Sequence, residues 1–264
     1  DIQTVGEIVE KIKGLGVRDQ GLGVESEKTE KGLSHIFSQE PEEAEKKKVG
    51  LNQGAIEWLF VSFLMGIIKT FFRIFFRLEV KGVENIPNIP FIIASNHCSN
   101  LDGFAVAAAL PLNIYRTLYF QGFQKYFTSR LTAFFARLAH VIPIDPETYL
   151  GKALQLSAYV LKNNNALFIF PEGGRSYDGN IMGFKKGIGI LALELNVPVV
   201  PVSIKGSFAA LPKGSYLPRF KKITIRFDKP FYPSLLDITG EQHGRDKYQL
   251  FADKLRERVK DLIP

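Results

Sequence analysis

Cysteine is almost missing from this chain of 264 residues: Cys98 stands alone. It has no internal disulfide partner, and no Cys-x-x-Cys pair or Cys/His spacing suited to zinc occurs. Such usage fits a reducing compartment. There is no Gly-X-Y period and no internal repeat, so neither a collagen nor a repeat array is a viable reading. The chain opens on Asp1 without a basic segment followed by an apolar run, the pattern of a processed product or of a piece of a longer polypeptide rather than of a signal peptide. The apolar run Trp58 to Ile68 is 11 residues, against the roughly 20 that a spanning helix needs. With 45% hydrophobic residues the chain is not a wholly disordered one, and it can bury a sizeable core as one large domain or two small ones.

Acidic charge is scarce beyond the first fifty residues. Residues 1–50 hold 8 Lys+Arg and 11 Asp+Glu, whereas residues 51–264 hold 26 and 16, a net +10. A basic body calls for an anionic partner: nucleic acid, a phosphate-bearing substrate or a membrane surface. The cations are scattered and no RNA- or DNA-binding motif is present, so nucleic acid is the poorest of these.

Three regions follow along the chain. Residues 1–50 read as a short amphipathic helix over 4–13, with Val5, Ile8, Val9 and Ile12 on one face, and then a glycine-broken, charge-dense linker over 14–50. Residues 51–77 place Lys69, Arg73 and Arg77 at i, i+4 and i+8, with Phe71, Phe72, Phe75 and Phe76 assigned to the other side. That division predicts a helix, or a pair of helices, lying in a membrane interface with cations toward anionic headgroups. Residues 78–264 alternate apolar strands with helical patterns. Strands are expected at 78–83, 91–95, 114–120, 140–144, 166–170, 199–204 and 222–227, and helices at 101–110, 123–138, 146–162, 184–195 and 246–262. The fold class is therefore α/β, a mostly parallel central sheet flanked by helices, with chemistry expected where strands end.

Three strand ends stand out. After Phe91–Ser95 comes Asn96-His97-Cys98-Ser99-Asn100-Leu101-Asp102. A turn of that length lets the Asp102 carboxylate fold back onto the His97 imidazole, fixing its tautomer and freeing the other nitrogen as a base; Ser99 or Asn100 is expected to cap the next helix. After Leu167–Phe170 comes Pro171-Glu172-Gly173-Gly174-Arg175-Ser176. Its glycines let backbone N–H groups approach an oxyanion, Arg175 offers a fork matched to phosphate, and Glu172 is expected to orient that guanidinium or line the pocket. The third, Val197-Pro198-Val199-Val200-Pro201-Val202, is a rigid strand entry that reads as acyl-tunnel wall or as ordinary core. Cys98 beside His97 raises a thiol-nucleophile alternative, which the opposed directions of adjacent strand residues disfavour.

These blocks, in this order and about 70 residues apart, make the chain resemble the glycerolipid acyltransferase family over residues 51–264. Asn96, His97 and Asp102 match its N-H-x-x-x-x-D block, Phe170 to Ser176 its F-P-E-G-x-R-S block, and 197–202 its V-P-[IV]-[IV]-P-V block. Gly174 stands where the family has Thr, and Pro146 where its second block ends in Arg. The resemblance implies an enzyme of phospholipid biosynthesis: an O-acyltransferase moving a fatty acyl group from acyl-CoA or acyl carrier protein to a lysophospholipid hydroxyl. The acceptor implied is 1-acyl-glycerol 3-phosphate, giving phosphatidic acid; another lysophospholipid, such as lysophosphatidylethanolamine, is the alternative, and a non-catalytic lipid-binding protein a more distant one. It makes His97 and Asp102 catalytic and assigns substrate binding to Glu172, Gly173, Gly174, Arg175 and Ser176. Lys185 and Lys186 are candidates for the missing phosphate ligand. No metal or redox cofactor is implied, and the enzyme is expected at the cytoplasmic face of a membrane. The 4–13 helix also resembles the last helix of an acyl carrier domain, over ten residues only.

Overall fold

The computed structural model describes residues 33, 35–51, 54–88, 90–144, 150–235 and 246–263. The amphipathic helix expected over 4–13 and the Pro146 position both lie outside the described residues. Among the described residues seven strands form one sheet: β1 (Glu79–Lys81), β2 (Ile92–Ser95), β3 (Leu118–Phe123), β4 (Val141–Ile144), β5 (Ala166–Ile169), β6 (Val199–Lys205) and β7 (Thr224–Phe227). Their order is β1-β7-β6-β2-β5-β3-β4. Every neighbouring pair is parallel except β6–β7. β2 and β5 are buried along their whole length, which is why they read as continuous apolar runs rather than as alternations.

The helices are α1 (Glu43–Val49), α2 (Ala55–Phe75), α3 (Asp102–Ala109), α4 (Leu112–Tyr115), α5 (Arg130–Leu138), α6 (Leu150–Lys162), α7 (Gly187–Leu195), α8 (Ser207–Ala210) and α9 (Lys247–Asp261). Two hydrophobic clusters, one on each face of the sheet, separate them. Ile92, Leu167 and Val199 face α6, α7 and α9, while Ile93, Phe168 and Val200 face α2 and α3. Gly189 lets α7 and α9 touch: a Cβ there would lie 2.1 Å from the Tyr248 carbonyl oxygen.

Three expectations are corrected. The 14–50 stretch is not a linker throughout. Leu33, Phe37 and Val49 are buried in the same cluster as Ile142 and Ala153, and Glu45 pairs with Lys152. A few apolar side chains among many charges suffice here because they meet the apolar flank of the edge strand β4 and of α6. The helix expected over 123–138 is shorter, because residues 118–123 continue β3 and Ser129 caps α5 with a reciprocal Ser129–Thr132 box.

The third correction concerns 51–77. This segment holds one continuous helix of 21 residues, long and apolar enough in length and composition to cross a membrane. Its four phenylalanines do not share a side: Phe72 and Phe76 are buried, Phe71 and Phe75 exposed. Adjacent helical residues stand about 100° apart, so a neighbouring pair divides between faces. Val61, Met65 and Phe72 pack on the domain, leaving Ile56, Leu59, Phe60, Phe63, Ile67 and Ile74 exposed. Arg77 lies past the helix end, in the left-handed region at φ 45°, and Lys69 donates to the Leu110 carbonyl, so the basic stripe reduces to Arg73 with Lys69 partly engaged.

Candidate active site

The central pair of strands builds the site. β2 and β5 run parallel in a register that sets Ile92 beside Leu167 and Ala94 beside Ile169. Continued past the strand ends, this register brings His97 to Glu172. The His97 N–H donates to Glu172 Oε1 at 2.8 Å, and the Met182 N–H donates to Oε2 at 3.1 Å. The Ser176 N–H donates to the His97 carbonyl at 2.8 Å. The two loops are therefore laced together on both sides of His97. Asn96 holds the opposite flank, accepting the Ile204 N–H at 2.8 Å and donating to its carbonyl at 3.0 Å, as another strand residue would.

His97 Nδ1 lies 2.9 Å from Asp102 Oδ2. The same oxygen accepts the Cys98 and Ser99 N–H groups at 2.7 and 2.8 Å. A buried carboxylate oxygen ringed by backbone donors presents an acceptor to Nδ1, so in the neutral ring the favoured tautomer has its proton on Nδ1 and its lone pair on Nε2. The ring stacks on Phe170, centroids 3.8 Å apart, and keeps 19% of its surface exposed. Neither Ser99 nor Asn100 caps α3. Leu101 holds that position, while Ser99 Oγ donates to the Leu211 carbonyl and accepts the Leu101 N–H.

Glu172 does not orient Arg175: both carboxylate oxygens bind backbone. Burial pushes its carboxyl up to about 7, against the lowering effect of the His97 and Met182 N–H groups. Gly173 is in the left-handed region at φ 71°, and the Lys185 side chain lies over it, its ammonium 2.7 Å from where a Cβ would stand. Gly174 faces open space. Among the described residues the Arg175 guanidinium has no ion-pair or hydrogen-bond partner. Ser176 is buried and its hydroxyl is committed to Asp178 at 2.8 Å, which makes it a brace for the loop. Lys186 is paired with Asp246 at 3.1 Å. α7 begins only at Gly187, with Lys186 at its cap position and Lys185 before it.

Cys98 points away, as adjacent residues at a strand end must. It is buried with Sγ 3.3 Å from Ser207 Oγ, and burial pushes the thiol up to about 12, so almost no thiolate exists near neutral pH. Val197, Val199, Val200 and Val202 are core residues. Lys213 was not anticipated: its ammonium lies 3.3 Å from the Arg175 carbonyl. It sits 38 residues downstream in an unremarkable loop, and no motif announces it.

The acyltransferase family model matches residues 77–205. The chain is 29% identical over 174 residues to a chloroplastic 1-acyl-sn-glycerol-3-phosphate acyltransferase of Brassica napus, a match covering 64% of this chain and 49% of that one. It is 32% identical over 194 residues to the 1-acyl-sn-glycerol-3-phosphate acyltransferase of Saccharomyces cerevisiae, covering 70% and 59%. The chain thus spans about half the length of the curated relatives it matches. Among solved structures, the 1-acyl-sn-glycerophosphate (LPA) acyltransferase PlsC of Thermotoga maritima superposes with a TM-score of 0.59 at 25% identity, over 86% of this chain and 95% of that one. The family model spans the turn that pairs His97 with Asp102 and the turn that carries Arg175. With the shared architecture of the solved relative, it makes this chain similar to the acyltransferase family in both turns and in fold.

Proposed function

We propose that the chain transfers a fatty acyl group from an acyl thioester, acyl-CoA or acyl carrier protein, to the free hydroxyl of 1-acyl-glycerol 3-phosphate. The observation that carries this reading is the His97–Asp102 pair laced to the Arg175 turn: the Ser176 N–H bonds the His97 carbonyl, and the neighbouring Arg175 guanidinium has no ion-pair or hydrogen-bond partner among the described residues. The names of the relatives support the same acceptor.

His97 Nε2 takes the proton of the acceptor hydroxyl. The oxygen attacks the thioester carbonyl, the tetrahedral intermediate collapses, and the thiolate leaves with the proton returned by the imidazolium. Asp102 holds the ring and stabilises its positive charge during the transfer. Positioned base catalysis contributes about 10²–10⁴-fold. Arg175 takes the acceptor phosphate through its planar fork. The exposed face of α2 lies in the headgroup region of an anionic membrane at its cytoplasmic face. The packing of Val61, Met65 and Phe72 on the domain supports a helix lying along the surface.

The test is acyl transfer from radiolabelled acyl-CoA to a panel of lysophospholipids. The reading expects product with 1-acyl-glycerol 3-phosphate and its loss in His97→Ala. Preference for lysophosphatidylethanolamine would reassign the acceptor, and no product with any acceptor would leave a lipid binder. For the membrane contact, the double substitution Phe63→Asp, Ile67→Asp should abolish co-sedimentation with vesicles containing phosphatidic acid; retained binding removes α2 from the interface.

A further inference from the structure

A phosphate monoester carries close to two negative charges near neutral pH, about −1.5 to −2. Arg175 offers one positive charge, Lys186 is already paired with Asp246, and the Lys185 side chain is folded down over Gly173. The structure supplies another cation at the same turn. α8 and the segment after it fold back over the site: Ser99 forms an antiparallel bridge with Pro212, Ser99 Oγ donates to the Leu211 carbonyl at 2.8 Å, and Phe208 fills the space beside Gly179. This seats Leu211, Pro212 and Lys213 against both the His97 turn and the Arg175 turn.

Two groups fix the Lys213 ammonium. It donates to the Arg175 carbonyl at 3.3 Å and stands 3.3 Å from the centre of the Tyr177 ring. Its hydrogen bond and charge, followed by the charge of Arg175, hold the Tyr177 phenol below its ordinary range. Lys213 is thus held on the backbone of the residue that carries the guanidinium, and Tyr177 feels both charges. Among the described residues no carboxylate pairs with Lys213. Asp178, the nearest acid in sequence, is turned to Ser176 and to the Asn180 N–H and amide. An ammonium anchored by neutral groups has its remaining N–H donors open to an anion.

We propose that Lys213 and Arg175 together form the site for the phosphate monoester of the acceptor, with Lys213 as its second cation. The inference rests on the acyl-transfer reading for the identity of the ligand but not for the existence of the anion site. The phosphates of CoA offer the same chemistry, and the experiment separates the two sources.

The full chain is titrated by calorimetry with sn-glycerol 3-phosphate, glycerol and CoA, as wild type, Lys213→Gln, Lys213→Arg and His97→Ala. The expected result is binding of glycerol 3-phosphate by wild type and His97→Ala, at least about tenfold weaker in Lys213→Gln, the ordinary effect of losing a charge-assisted hydrogen bond. Lys213→Arg, which keeps the charge, should recover most of it. Glycerol should not bind, and CoA affinity should be equal in all four. In the transfer assay the KM for the acceptor should rise in Lys213→Gln with kcat retained. The proposal is overturned if wild type does not bind glycerol 3-phosphate, if Lys213→Gln binds it as wild type does, or if CoA affinity falls instead. Lys213-dependent binding without acyl transfer would leave the anion site standing and remove the acyltransferase reading.

Discussion

Asp102→Asn isolates the charge of Asp102 from its geometry. Oδ2 is fixed by three donors, His97 Nδ1–H and the Cys98 and Ser99 N–H groups, so the asparagine carbonyl must take that place and its NH₂ the place of Oδ1. Oδ1 is buried without a partner in the described structure, and the substituted NH₂ inherits that condition. The fold should change little, by about 1 kcal/mol, or roughly 2–4 °C in Tm for a domain of this size. What is lost is the negative charge beside the imidazolium that forms as the acceptor is deprotonated. With Nδ1 and Oδ2 2.9 Å apart the centres of charge are about 4 Å apart; at an effective dielectric near 20 the attraction is about 4 kcal/mol, or about three decades in rate. The variant should therefore show kcat reduced by about 10³, with acceptor KM close to wild type, in the radiolabelled transfer assay, and a Tm within a few degrees by calorimetry. A folded variant retaining a third or more of the wild-type kcat would refute the assignment of His97 as a base steered by Asp102.

Other outcomes follow from individual contacts. Cys98→Ala should keep most activity in the same assay, since the thiol is pushed up to about 12 by burial and faces Ser207; inactivity with normal folding would revive a thiol nucleophile. Burial raises the Glu172 carboxyl from 4.5 to about 7, so the folded state holds a proton that the unfolded chain has released. The stability from the neutral form is complete below pH 4.5 and is lost as pH rises through about 7. Urea unfolding of Glu172→Gln from pH 5 to 8 should lack that fall. His140 slopes the other way: burial lowers it from 6.5 to about 4, so its stability is complete above pH 6.5 and declines as pH drops, a background that cancels between Glu172→Gln and wild type. Gly189→Ala places a Cβ 2.1 Å from the Tyr248 carbonyl oxygen and forces α7 from α9, at a cost of about 1–3 kcal/mol; an unchanged Tm would show that the helices have room to part.

The relation between chain and fold divides by distance along the sequence. The pairing of His97 with Asp102 was legible because it is local: a strand, a six-residue turn and a helix start can bring those two side chains together with little help. The strands were legible because β2, β5 and β6 lie inside the sheet, where both faces demand apolar residues. The N-H-x-x-x-x-D and F-P-E-G-x-R-S blocks carried the resemblance to acyltransferases before any coordinates. Other properties depend on which surface each residue meets. Leu33, Phe37 and Val49 look isolated among charges until β4 and α6 present an apolar flank to them. Phe71 and Phe72 look equivalent until α2 is rotated against α3, burying one and exposing the other. Glu172 clamps the His97 backbone because β2 and β5 are parallel neighbours in a particular register. Lys213 reaches Arg175 because β6 lies on the far side of β2 and the chain leaving it crosses back over both turns. Pattern and propensity act over a few residues, so composition and motif determined the elements and the local catalytic pair. Sheet order and helix rotation are set by packing across the whole core, and only they decided which braces and cations surround that pair.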